Sequence, residues 1–334
     1  MEQKNDHLFN PVANTENENQ EMVFDTGTGF FKDAFGRFKK NKGGLFGLVA
    51  IGIILFLAIV GPYLGAHEYN VMIKDHLDLP ARIPFLENFG IFDGSVAGYN
   101  PYIQKGLNDV YYWFGTDNLG RDLWGRVWMG TRISFLVAFV AVMIDVVFGI
   151  TYGLISGYFG GKVDLIMQRI VEVIAGIPNL VVVILLVLVL KPGLTSIIFA
   201  LMITGWISMS RVVRSQTLKI KEMEFVLAAK TLGASSFMII KKEVLPNIVG
   251  QIIVMTMFSI PNAIFYESFL AFIGLGLQPP LASLGVLISR GYLAMLTYPH
   301  MVAFPVVVLS ILMLSFNLVA DGLRDAFDPK MKGF

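Results

Sequence analysis

The stretch FVLAAKTLGASSFMIIKKEVLPN, residues 225–247, lies between two of the longest apolar runs of the chain and carries more pattern than a plain connection needs. Phe225, Ala228, Ala229 and Leu232 recur at i, i+3, i+4 and i+7, the spacing of one apolar stripe on a helix, while Lys230 and Thr231 fall elsewhere. Gly233 can take the left-handed backbone that ends such a helix, and Ser235 or Ser236 can cap a second one starting near Phe237. Pro246 suits the first turn of the next apolar segment, where its missing N–H costs nothing. The stretch predicts a short amphipathic helix, a turn and a second helix leading into the membrane.

Of the 334 residues, 55% are hydrophobic and 15% charged, an apolar share above the roughly 45 to 50% of soluble domains, so the chain belongs in a lipid membrane. A formal net charge of +1 excludes the broad basic field that nucleic acid would require. The absence of cysteine excludes disulfides, thiolate metal sites and cysteine nucleophiles. His7, His67, His76 and His300 include no i, i+4 pair, so no helix presents a histidine metal site.

Residues 1–28 are rich in Asn, Glu and Gln and read as an unfolded tail. Phe30, Phe31, Phe35 and Phe38 then interleave with Lys32, Arg37, Lys39, Lys40 and Lys42, as in a basic amphipathic helix on an anionic leaflet, or simply a positive flank. Together they make residues 1–43 a cytoplasmic segment, and 45–64 is the first span, an uncleaved anchor. Residues 65–131 form a folded external loop, whose end places Trp124 and Trp128 among Arg121, Asp122 and Arg126, as in an interfacial helix.

Further spans are expected at 133–155, 164–190, 194–210, 248–272 and 302–319, within a transmembrane domain of 132–323 that is followed by a charged inner tail, 324–334. The fold class is thus all-α, with six transmembrane helices. Asp145 sits mid-span; such a carboxylate either faces a pathway or partner, or makes an interhelical hydrogen bond. Glu267, near the outer end of the fifth span, is the second candidate. Arg169 and Glu172 are one turn apart and can neutralise each other, and Pro178 lies inside the third span. Residues 274–299, broken by Gly and Pro, read as a re-entrant or packed external segment. Arg211, Arg214, Lys219, Lys221, Lys230, Lys241 and Lys242 all fall between the fourth and fifth spans, which sets the opening stretch and both termini on the cytoplasmic side.

Leu227-Ala228-Ala229, Gly233 and Val244-Leu245-Pro246 resemble the cytoplasmic loop signature of ABC importer permeases, with Leu227 where the family has Glu and Glu243 where it has Ile. Gly115-Thr116-Asp117, Gly120-Arg121-Asp122, Gly130, Arg132 and Ser134, with ESFLAFIGLGLQPPLASLG at 267–285, resemble the oligopeptide and dipeptide branch of that family. The long loop after the first span is similar to that of its C-type subunits.

The resemblance implies a type I importer fold in which Phe225, Leu227, Ala228, Ala229, Leu232 and Gly233 form a coupling helix that docks into an ATPase. It implies a homologous B-type permease, two ABC ATPase subunits that use ATP and Mg, an external peptide-binding protein, and no cofactor on this chain. It also implies peptide import across a bacterial cytoplasmic membrane, with dipeptides, nickel chelates or glutathione as alternative cargo. GYFGGKV at 157–163 lacks the spacing and hydroxyl of a phosphate loop, so ATP hydrolysis belongs to partners. An ion-coupled carrier using Asp145 and Glu267 would show an inverted repeat, and none is evident. An intramembrane enzyme would need a catalytic motif, whereas Asp145, Glu172 and Glu267 stand on different spans without one.

Overall fold

The computed structural model describes residues 30–65, 67–96, 98–278 and 281–327. The tail at 1–28 and the final residues of the inner tail lie outside them. The described elements are helical, apart from isolated antiparallel bridges such as Thr116 with Asp122.

Helix α1 (Phe30–Phe38) buries Ala34 and Phe38 and leaves Phe31 and Phe35 exposed. Its buried side lies on the last helix of the chain, so this segment is half packing element and half apolar surface. Asn41 caps α2 (Lys42–Val60) by accepting from the Gly44 N–H at 2.8 Å, and Pro62 ends the helix in a tight turn. The loop that follows has its own small core of Leu79, Tyr102 and Tyr112, with one short helix, α3 (Pro101–Gln104). Arg82 stitches it by donating to Glu87 at 2.9 Å and to the Asn108 carbonyl at 2.8 Å.

Helix α4 (Leu123–Phe159), capped by Asp122, runs for 37 residues, about 55 Å at 1.5 Å per residue and well past the ~30 Å of hydrocarbon. The separate interfacial helix expected around Trp124 is therefore corrected: these residues are the first turns of a continuous rod. Both tryptophans pack against the turn that follows α2. Trp124 Nε1 donates to the Gly61 carbonyl at 2.8 Å, and Trp128 is buried against Gly61.

After Gly160, whose φ of +63° turns the chain, come α5 (Gly161–Ala175) and α6 (Asn179–Leu190), which meet at 73°. The third span expected over 164–190 is thus bent sharply just before α6, at the Pro178 expected inside it. Pro178 cannot donate the hydrogen bond that would continue α5, and it opens α6 instead. Helices α7 (Leu194–Thr204) and α8 (Trp206–Ile220) form one rod of 27 residues. Gly149, Gly153 and Gly157 line the face of α4 that meets α8; a Cβ on Gly153 would lie 2.6 Å from the Ser210 carbonyl, so the backbones touch. Arg214 clamps Asp164 with two hydrogen bonds of 2.6 Å, and the Ser156 hydroxyl donates to the same carboxylate at 2.5 Å, tying α8, α5 and α4 together.

Helices α9 (Glu224–Thr231) and α10 (Ser236–Ile239) make the predicted hairpin, with Gly233 at φ +82° and Ser235 accepting from the Met238 N–H. A π-helical turn, Ile240–Val244, feeds α11 (Leu245–Phe272), which holds Pro261 inside it. Helix α12 (Leu284–Leu293), too short to cross, packs against α11, α13 (His300–Phe327) and α4. Among the described residues, five helices are long and apolar enough to span a membrane, six with α5 and α6 taken as one bent span. Phe327 at the end of α13 lies against Gly250 near the start of α11, so α1, the hairpin and the end of α13 share one end of the bundle.

Candidate functional site

Two places on this scaffold carry unusual chemistry. The first is a cavity of about 250 Å³ beside the break between α5 and α6. Asp145 from α4, Asn179 at the break, Thr204 and Ser208 from the α7–α8 rod, and Ser259, Asn262 and Tyr266 from α11 line it, with no Lys, Arg or His among its walls. Irregular backbone at membrane depth survives only where protein or a cavity receives its polar groups, and here the break opens onto one. The Thr204 hydroxyl donates to Asn179 Oδ1 at 2.5 Å and holds the two sides together. Asp145 is 8% exposed, and its Oδ1 is buried without a hydrogen-bond partner. Gly205 makes room for it, since a Cβ there would fall onto that oxygen.

Glu267, the other candidate carboxylate, does not line this cavity. It is fully buried and accepts from the Ser134 hydroxyl at 3.2 Å, while Ser134 Oγ also accepts from the Leu284 N–H at 3.3 Å. The structure therefore sets it at a joint of α4, α11 and α12, apart from the cavity.

The second place is the hairpin. Val226 is buried and Ala229 partly so, against a core of Leu154, Val213, Ile239 and Ile248. Phe225, Leu227, Ala228 and Leu232 are exposed, Leu232 at 88%, as is Phe237 on α10 at 75%. The stripe of Phe225, Ala228, Ala229 and Leu232 is thus split: Ala229 turns inward with Val226, and the outer face gains Leu227 and Phe237. The split follows from Val226 and Leu227, which make the helix apolar on every side, so that spacing alone does not choose the inner face.

One cluster that sequence reasoning misjudged lies in the loop. Asp117 Oδ1 accepts from the Leu119 and Arg121 N–H groups, and Oδ2 from Arg121 Nε at 2.8 Å, with Arg126 Nε 3.5 Å away. Both arginines are essentially unexposed. Thr116 Oγ1 donates to the His76 carbonyl at 2.6 Å and accepts from the Leu79 N–H at 2.8 Å. Arg121 and Arg126, expected on an interfacial helix, thus belong with Thr116 and Asp117 to a buried knot joining the loop to α4. Their density of charge at close spacing was the available signal.

Residues 149–333 match the family described as binding-protein-dependent transport system inner membrane component, more than half of the chain. This chain belongs to that family of ABC importer permeases. Residues 29–82 match the N-terminal transmembrane domain of oligopeptide transport permease C, which accounts for α1, α2 and the start of the loop. The permease is 41% identical over 304 residues to the dipeptide transport system permease protein DppC of Bacillus subtilis, covering 91% of this chain and 87% of that one. It is 38% identical to the oligopeptide transport system permease protein OppC of the same organism, over 98% of both chains, and 37% identical to OppC of Escherichia coli, over 91% and 92%. An inward-facing structure of the MetNI methionine ABC transporter aligns with a TM-score of 0.50 at 19% identity, over 60% of this permease and 96% of that chain, a likeness of fold. Membership makes the permease a non-catalytic transmembrane subunit and implies a partner permease and ATPase subunits.

Proposed function

We propose that the permease imports oligopeptides across a bacterial cytoplasmic membrane, forming the pathway with a homologous B-type subunit and receiving peptide from an external binding protein. The observation that carries the reading is the outer face of the hairpin. Phe225, Leu227, Leu232 and Phe237 stand exposed at the end of the bundle that the Lys and Arg residues assign to the cytoplasm, and an apolar patch at such a place calls for a protein partner. That partner is the pair of ABC ATPase subunits, which bind ATP and Mg; this chain holds no cofactor. Asp145 borders the translocation route through the polar cavity, and Glu267 serves as a helix joint.

A second reading takes dipeptides as cargo, favoured by the 41% identity to the Bacillus subtilis dipeptide permease. Uptake of labelled peptides of graded length by cells lacking and regaining this chain separates the two. Restoration for tetrapeptides and longer supports oligopeptide import, restoration for dipeptides alone establishes the second reading, and restoration of neither overturns both.

A further inference from the structure

The walls of the cavity present a carboxylate and no counter-charge. A buried carboxylate without a partner is costly, and it is retained where a cation arrives to pair with it. Asp145 is the one charged side chain on the cavity wall, and its carboxylate, with Oδ1 packed against Gly205, has no cationic partner there. The Thr204 hydroxyl spends its proton on Asn179 and keeps lone pairs to accept, and Ser208 adds a second hydroxyl on the same rod. A carboxylate and two hydroxyls on the wall of one cavity are the acceptor types that the three N–H donors of a primary ammonium use. Asn262, across the cavity, carries the carboxamide that can donate to a neighbouring carbonyl. Resting on the importer reading, we propose that this cavity is a subsite for the N-terminal ammonium of the transported peptide, with Asp145 as its charge partner.

The site explains two otherwise separate features. Gly205 has no side chain because the carboxylate occupies that space. The break at Pro178 carries Asn179 to the cavity wall instead of burying it in a continuous helix.

The chain contains no cysteine, so one introduced at Asn262 is its only thiol. The assembled complex, with partner permease and ATPases in lipid nanodiscs, is treated with aminoethyl or sulfonatoethyl methanethiosulfonate, and modification is read from the mass of this chain. The cationic reagent should outpace the anionic one at Asn262→Cys by at least about tenfold relative to the same ratio at Asn88→Cys in the loop. Asp145→Asn, which keeps the shape, should collapse that preference. Should that variant fail to assemble, Asp145→Ser, which also removes the charge, should do the same. A peptide with a free N-terminus should slow the reaction, and its N-acetylated form should not. A preference that survives both variants, or equal protection by the two peptides, overturns the ammonium subsite while leaving import intact. Absence of any peptide uptake by the unmodified complex would overturn the importer reading itself.

Discussion

At the scale of single residues, the most consequential group outside the membrane is Asp117. Its carboxylate is shared by two backbone N–H groups and the Arg121 side chain, and it stands 3.5 Å from Arg126. Taking away one partner of a buried ion pair leaves charge uncompensated, at about 3 to 5 kcal/mol. Asp117→Ala should therefore loosen the whole loop, read as a lowered melting temperature of the purified complex and faster proteolysis between α2 and α4. Asp33→Ala, which removes the i, i+4 partner of Arg37 near the surface, should change neither, since such exposed pairs contribute only a few tenths of a kcal/mol. Equal effects of the two substitutions would refute the knot. Asp117 was visible in the sequence as part of a branch signature and of a dense run of charge; that its arginines are buried depends on the loop folding over them, which no local pattern encodes.

Among the elements, α9 is the one whose proposed docking role is open to a direct test. Ala228 and Ala229 are neighbours in sequence, yet one is exposed and the other leans on the core beneath. Ala228→Arg should leave folding and permease association unchanged but remove stimulation of ATP hydrolysis by loaded binding protein, because a charge is desolvated in the docking contact. Ala229→Arg should lower the yield of folded chain as well. If Ala228→Arg retains full stimulated hydrolysis in the reconstituted complex, the outer face is not where the ATPase docks. The spans themselves were legible because long uncharged runs have one stable solution in lipid. The 73° break was not, since a proline in a membrane helix gives a mild kink or a full stop according to what its neighbours accept. Asn179, placed on the cavity by that break, could for the same reason not be singled out beforehand.

Taken whole, the molecule is a bundle with a folded cap, and the cap has its own chemistry. His76 Nδ1 lies 2.6 Å from the Tyr112 hydroxyl, which also meets His67 Nδ1 at 3.1 Å. Burial holds the His76 ring below its ordinary value, and the neighbouring His67 and Lys105 add to this against the opposing charge of Asp75. Above about pH 6.5 the folded and unfolded cap both carry a neutral ring; below it the unfolded cap takes up a proton that the folded one resists. Stability should thus fall on acidification until the folded ring titrates too. Proteolysis of the loop in sealed vesicles should speed up between about pH 7.5 and about pH 5.5, and His76→Gln should flatten that dependence. An unchanged slope in the variant would assign it to other groups. Ser283, which caps α12 from a fully buried position, is a poor reporter of sidedness, whereas thiols at Asn88 and Ser236 are exposed at opposite ends.

The glycine seam between α4 and α8 has a mechanical meaning. Backbones in direct contact, with the Asp164 clamp at one end, leave nothing between the two rods to compress or re-pack, so they turn as one shaft. On the docking reading proposed above, the hairpin is the crank on that shaft, joined to it through the core that Val226 shares with Leu154 and Val213. The 15 residues of α8 place Gly205, and the carboxylate resting on it, about 22 Å from the crank. Spin labels at Phe148 and Ser215, one on each rod, should keep a constant separation with and without nucleotide, and a shift between the two states would show a slipping shaft. If α9 is the docking element proposed above, a push delivered there should reach Asp145 as torque on the floor of the cavity.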